Sequence, residues 1–308
     1  MTATSSAAAS APVVGTSKVR MPKRPNRFLT VGSVLSLVWL GGLTLLAFFA
    51  DYLPFIRYAT ARTKSVTNYK IGPGIDFWFG SDRLGRDVFA RCIYGAQISL
   101  RVAVASIIVG IVVGGALGLI AGYVKGRTDA SINVLFDVLL SFPALILAVL
   151  VVGRLDVLAA DVSWLTRTWS VTIVLSLLSI APIARIVRAQ TLSLSEREFV
   201  LAARSLGAGR MRILFKEILP NLVPAMVSVA FTGVAVLMVA EGGLAFLGYS
   251  VESPSSSWGK LIAENREKID VAWWATIFPS LMLFITVLAF NVIGDRFARR
   301  FDIREAAL

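Results

Sequence analysis

Val102–Val124, VAVASIIVGIVVGGALGLIAGYV, runs for 23 residues without a charge. A helix rises about 1.5 Å per residue, so this stretch spans the roughly 30 Å hydrocarbon core of a bilayer and predicts a transmembrane helix. Within it Gly110, Gly114, Gly118 and Gly122 recur at every fourth position and form a smooth stripe along one face. Small residues at that spacing let a second helix approach closely. The stripe is satisfied by a helix of this chain or by one of another chain.

Five more uncharged runs flank this one: Leu29–Ala50, Val138–Gly153, Thr168–Ala184, Ile218–Ala240 and Val271–Gly294. Val138–Gly153 is short for a span and reaches full length only if it extends back to Ala130 and takes Asp137 near an interface. Over the whole chain 56% of residues are hydrophobic and 16% charged, against roughly 45–50% and 25% in soluble domains. The reading is an all-α integral membrane protein with six transmembrane helices. Several chemistries are excluded at once. The chain has no histidine and a single cysteine, Cys92, so imidazole catalysis, a two-cysteine zinc site and an intrachain disulfide are out of reach. There is no phosphate-binding Gly-x-x-x-x-Gly-Lys-Ser/Thr loop, so no ATP hydrolysis by this chain is expected.

The net charge of +12 is unevenly spread. With the N-terminus in the cytosol, the cytosolic segments hold 18 Lys and Arg and the external ones 12. This follows the positive-inside rule, and both termini are expected in the cytosol. Trp78, Trp164, Trp169, Trp258, Trp273 and Trp274 fall at the external side, as an interfacial belt would. The resulting organisation is a disordered basic tail over 1–28, a first transmembrane helix over 29–53 and an external loop with an amphipathic segment over 54–95. A core of five helices follows over 96–294, with a polar loop at 190–220, and a cytosolic tail over 295–308 ends the chain.

That loop is too patterned for a linker. Phe199, Ala202, Ala203 and Leu206 follow helical spacing, Gly207 interrupts, and Met211, Leu214, Phe215 and Ile218 resume it. Two amphipathic helices joined at Gly207 are predicted, with Ser195 and Glu198 placed as a capping box. Arg197, Arg204, Arg210, Arg212 and Lys216 stud the polar side. A helix pair resting on anionic lipid fits the pattern as well.

The run EFVLAARSLGAGRMRILFKEILPN (Glu198–Asn221) resembles the Glu-Ala-Ala loop of the membrane-spanning subunits of ABC importers. Ala202, Ala203, Gly207 and Ile218-Leu219-Pro220 stand in register, whereas Leu201 occupies the position of the family's glutamate. Phe79–Leu100, Phe136–Ala148, Ala240–Arg266 and Phe278–Asp302 resemble the dipeptide, oligopeptide and nickel permease group, specifically its second ("C") permease. The resemblance implies a type I importer permease in a bacterial inner membrane, itself non-catalytic and without cofactor. Its implied partners are a homologous permease, ATPase subunits (two, or one fused pair) that bind ATP and Mg, and an external substrate-binding protein. Nucleic acid is not among them. Short peptides are the implied cargo, with nickel or another peptide-sized ligand as the alternative. A self-contained secondary carrier is disfavoured, because no inverted repeat is evident.

By the same resemblance Phe199, Ala202, Ala203, Arg204, Ser205, Leu206, Gly207 and Ala208 are the expected ATPase-coupling residues. Asp137, Phe142, Pro143 and Glu241 are candidates for the pathway or gate, with Arg185 or Arg101 as the expected partner of Asp137. Asp82, Arg83, Arg86 and Asp87 read as a locally paired external cap, and the resemblance makes them candidates for contact with the binding protein.

Overall fold

A computed structural model describes residues 30–56, 61, 69–159, 161, 162 and 164–305; the expected basic tail and the stretch 62–68 lie outside it. The described residues are helical with short connections. Five helices are each long and apolar enough to cross a membrane: α1 (Val31–Phe48), α2 (Val88–Val124), α5 (Arg167–Ser195), α7 (Arg210–Phe246) and α9 (Trp274–Glu305). A sixth crossing is reached if α3 (Gly126–Ser141) and α4 (Ala144–Ala159) are counted together, and these are bent by 88° at their junction. Two short helices complete the set, α6 (Glu198–Ser205) and α8 (Trp258–Asn265).

The third expected span is therefore a broken one. Phe142 is extended, with φ −84° and ψ 136°, because the ring of Pro143 disfavours helical geometry in the residue before it. Pro182 and Pro224, by contrast, lie inside α5 and α7. The second span starts at Val88, earlier than the apolar run, since the Asp87 side chain accepts from the backbone amides of Phe89 at 2.9 Å and Ala90 at 3.3 Å and caps α2.

The glycine stripe of α2 meets α5 of the same chain. A Cβ added at Gly114 would lie 2.5 Å from the carbonyl oxygen of Ile180, and one at Gly122 would lie 2.8 Å from that of Arg188. Gly110 and Gly118 abut Ser179 and the Ala184 carbonyl in the same way. Between them Gly110–Gly114 forms one wider π-helical turn, a local bulge that shifts the register of the face against α5. Elsewhere polar pairs pin the helices together. Trp39 of α1 donates its indole N–H to Thr286 Oγ1 of α9 at 2.9 Å, and Ser228 Oγ of α7 donates to the Gly294 carbonyl of α9 at 2.8 Å.

Candidate functional site

At one end of the bundle α6 is held off the end of α5 by a short bend. Its N-cap is Arg197, without a side-chain cap bond. The expected Ser195 and Glu198 capping box does not form: Ser195 is still in the last turn of α5, where its hydroxyl donates to the Leu192 carbonyl at 2.8 Å. The exit from α6 follows the sequence closely. Gly207 has φ +80°, the Gly207 amide donates to the Arg204 carbonyl at 3.0 Å, and the Ala208 amide donates to the Ala203 carbonyl at 3.0 Å. This pair of bonds is a Schellman closure, in which glycine carries the left-handed residue without a Cβ penalty. After Gly209 the chain turns directly into α7, so the second amphipathic helix is the first part of a membrane-spanning helix.

The eight candidate coupling residues do not form one surface. Val200 is fully buried, and Ala203 and Ala208 pack beside it on the chain's own core. Ala202, Arg204, Ser205 and Gly207 are exposed, as is Leu206 at 88%. Helical spacing explains the split, since positions 200 and 203 share one face while 201, 202, 205 and 206 turn the other way. Ala202, Ala203, Leu206 and Ala208 thus fall on two faces, one fastening α6 to its own chain and one left open. Phe199, Leu201, Met211 and Phe215 of the same loop are exposed apolar residues as well. A helix presenting an apolar face flanked by arginines and seated at the root of a long span is suited to passing a push into the bundle.

Near the α3–α4 break Asp137 pairs with Arg185 of α5, both largely exposed; Arg101 is not its partner. Eight residues earlier Asp129 accepts from Arg188 Nη2 at 2.7 Å. Phe142 and Pro143 are also exposed, so these residues line an open side of the chain. Glu241 is elsewhere and sealed. It is 1% exposed and accepts from Ser257 Oγ at 2.6 Å and Ser250 Oγ at 3.1 Å.

The Asp82 group is a buried ion network. Asp82 Oδ2 receives Arg86 Nε at 2.7 Å and Arg91 Nη1 at 2.6 Å, while Glu264 Oε2 of α8 receives the remaining Nη2 of both arginines at 3.0 Å. Asp82, Arg86 and Asp87 are buried and only Arg83 is exposed. Burial of a charge requires such pairing, and here only Arg91 Nε is left without a hydrogen-bond partner within the network. Arg91 and Glu264 escaped the reading of the sequence: Arg91 sits at the entry to an apolar helix, a detectable signal, whereas Glu264 joins from a distance of 173 residues. The arginines hold the Glu264 carboxyl below its ordinary range despite the opposing effect of burial.

Residues 114–306 match the family described as the binding-protein-dependent transport system inner membrane component. The chain belongs to that family. It is a multi-pass inner-membrane transport permease, and membership of this family implies a complex with ATPase and substrate-binding protein partners. The glutathione transport system permease protein GsiD of Escherichia coli O6:K15:H31 is 40% identical over 228 residues, which cover 74% of this chain and 72% of that protein. The dipeptide transport system permease protein DppC of Alkalihalophilus pseudofirmus is 33% identical over 263 residues, covering 85% and 83%. A chain of the inward-facing MetNI methionine ABC transporter superposes with a TM-score of 0.57 at 20% identity, covering 68% of this permease and 95% of that chain. The fold is therefore that of an ABC importer permease of type I.

Proposed function

We propose that this permease is one of two that together enclose the pathway of an ATP-driven importer of short peptides, and that α6 with the Gly207 turn seats on the ATPase. The reading of cargo rests on the relatives, one named for glutathione and another for dipeptides, both small peptides. Coupling is carried by one observation: the open face of α6 bears Leu206 at 88% exposure, with Arg204 and Arg210, which form no ion pair among the described residues, at the root of α7. An exposed apolar face of this kind, flanked by charged residues, marks a surface that a partner covers. ATP closure of the covering subunits would then move α5 and α7, to which the loop is joined at both ends.

The chain's own residues account for the rest of the cycle. The α3–α4 break with exposed Asp137, Phe142 and Pro143 supplies a bend at the pathway side, and α8, tied to α7 through Glu241, closes the opposite end. The test is uptake of labelled di- and tripeptides into proteoliposomes holding both permeases, the ATPase and the binding protein. Uptake should require ATP and survive an uncoupler; uptake by this chain alone, or uptake abolished by the uncoupler, would refute the reading.

A further inference from the structure

Beneath the coupling loop lies a cavity of about 390 Å³ lined by Tyr123 and Val124 at the end of α2, by Arg204 and Ala208 of the turn, and by Arg210 and Ile213 at the start of α7. Neither Arg204 nor Arg210 makes an ion pair among the described residues, although acids are present at this end of the bundle. Asp129 is engaged by Arg188 and Glu196 by Lys125 at 3.1 Å, while Glu198 and Glu217 of the loop itself form no ion pair with either arginine among the described residues. Two guanidinium groups facing one cavity repel each other, and the repulsion grows as water is displaced by a partner. A partner that covers the open face of α6 must therefore bring negative charge to this cavity. Arginine favours planar acceptors that take two N–H bonds, which a carboxylate provides.

We infer that the cavity between Tyr123, Arg204 and Arg210 receives a carboxylate side chain of the ATPase subunit, so that the acid of this contact lies on the ATPase and the bases on the permease. The inference deepens the coupling reading and depends on it. Leu201 fits this polarity, being an exposed apolar residue on α6 that contributes no charge of its own.

The assembled transporter, with both permeases and its ATPase, supplies the test. Arg204→Lys and Arg210→Lys each place an amine in the cavity while keeping its charge, and a carbodiimide joins an amine to a carboxylate only at direct contact. Mass spectrometry should find a new amide between position 204 or 210 and an Asp or Glu of the ATPase. The double variant Arg204→Glu/Arg210→Glu should weaken ATPase association by roughly tenfold or more, most strongly at low salt. Cross-links from Lys216 to the ATPase with none from 204 or 210 would overturn the inference while leaving the loop as the docking element. Absence of every cross-link from the loop, with the ATPase bound, would remove the coupling reading as well. Loss of copurifying anionic phospholipid in the double-glutamate variant, with ATPase association unchanged, would assign the cavity to a lipid headgroup and equally overturn the inference.

Discussion

Ser257 Oγ donates to Glu241 Oε1 at 2.6 Å, so a buried carboxylate of the long helix α7 is fastened to the first residue before α8. The same hydroxyl accepts from the Lys260 amide at 3.1 Å and caps α8. Backbones meet here too: a Cβ added at Gly259 would lie 2.5 Å from the Cα of Gly242. Ser257→Ala removes a donor to a buried acid together with a helix cap, and should cost about 1–3 kcal/mol. Thermal unfolding of the purified permease in nanodiscs checks this, and Ser257→Thr should restore most of the loss.

The contact of α2 with α5 makes a steep prediction. Gly114→Val puts a branched side chain where 2.5 Å separates a Cβ from the Ile180 carbonyl. Backbone on both sides leaves little room to yield, so the helices must separate at a cost of about 1–3 kcal/mol or more. Gly41→Val in α1, where no atom lies within 4 Å of an added Cβ, is the control and should melt like the parent protein.

Lys260 is expected to give the protein a pH dependence outside the membrane. Its Nζ donates to the Val251 carbonyl at 2.7 Å, to the Ser255 carbonyl at 3.1 Å and to Ser253 Oγ at 3.3 Å. Burial lowers its pKa to about 8 from 10.5, against the pull of Glu264 and with the repulsion of Arg91 and Arg86. The folded form therefore releases its proton before the unfolded chain does. The charge penalty is present in full below pH 8, and this residue's contribution to stability rises from about pH 8 to 10.5. Lys260→Met should flatten the stability profile over that window, measured as the midpoint of chemical unfolding against pH.

Topology is open to labelling. Cys92 is fully buried and gives no background. If both termini are cytosolic, impermeant maleimide applied from outside should label Ser253→Cys and should reach Ser205→Cys only after permeabilisation. Both positions are exposed, which Ser195 is not, so accessibility within the fold does not confound the result.

The apolar helices and the Gly207 turn were legible because their signals are local. An uncharged run of the right length and a glycine between two helical patterns are written in consecutive residues, and Gly207 indeed carries the left-handed turn. Pro143 in the sequence accounts for the α3–α4 break, but its 88° bend depends on what each half packs against. Burial was the hidden quantity. Nothing in the spacing of Ala202, Ala203, Leu206 and Ala208 says which face the chain keeps for itself; Val200, beside them, fills that side. Likewise the Asp82 group showed its local pair with Arg86 but not Glu264, since pairing across the fold leaves no trace in neighbouring residues.

The most direct test of coupling is ATP hydrolysis and peptide uptake by the reconstituted transporter carrying Gly207→Val or Leu206→Asp. Valine at φ +80° strains the turn, by roughly 1–3 kcal/mol, without touching the bundle, since no atom lies within 4 Å of an added Cβ there. Aspartate in place of Leu206, which is 88% exposed, cannot unfold the permease but puts a desolvated charge into a covered contact. Both variants should insert and pair with the second permease normally, yet lose most binding-protein-stimulated hydrolysis and uptake. Wild-type hydrolysis and uptake in both would show that this loop does not couple the ATPase to transport.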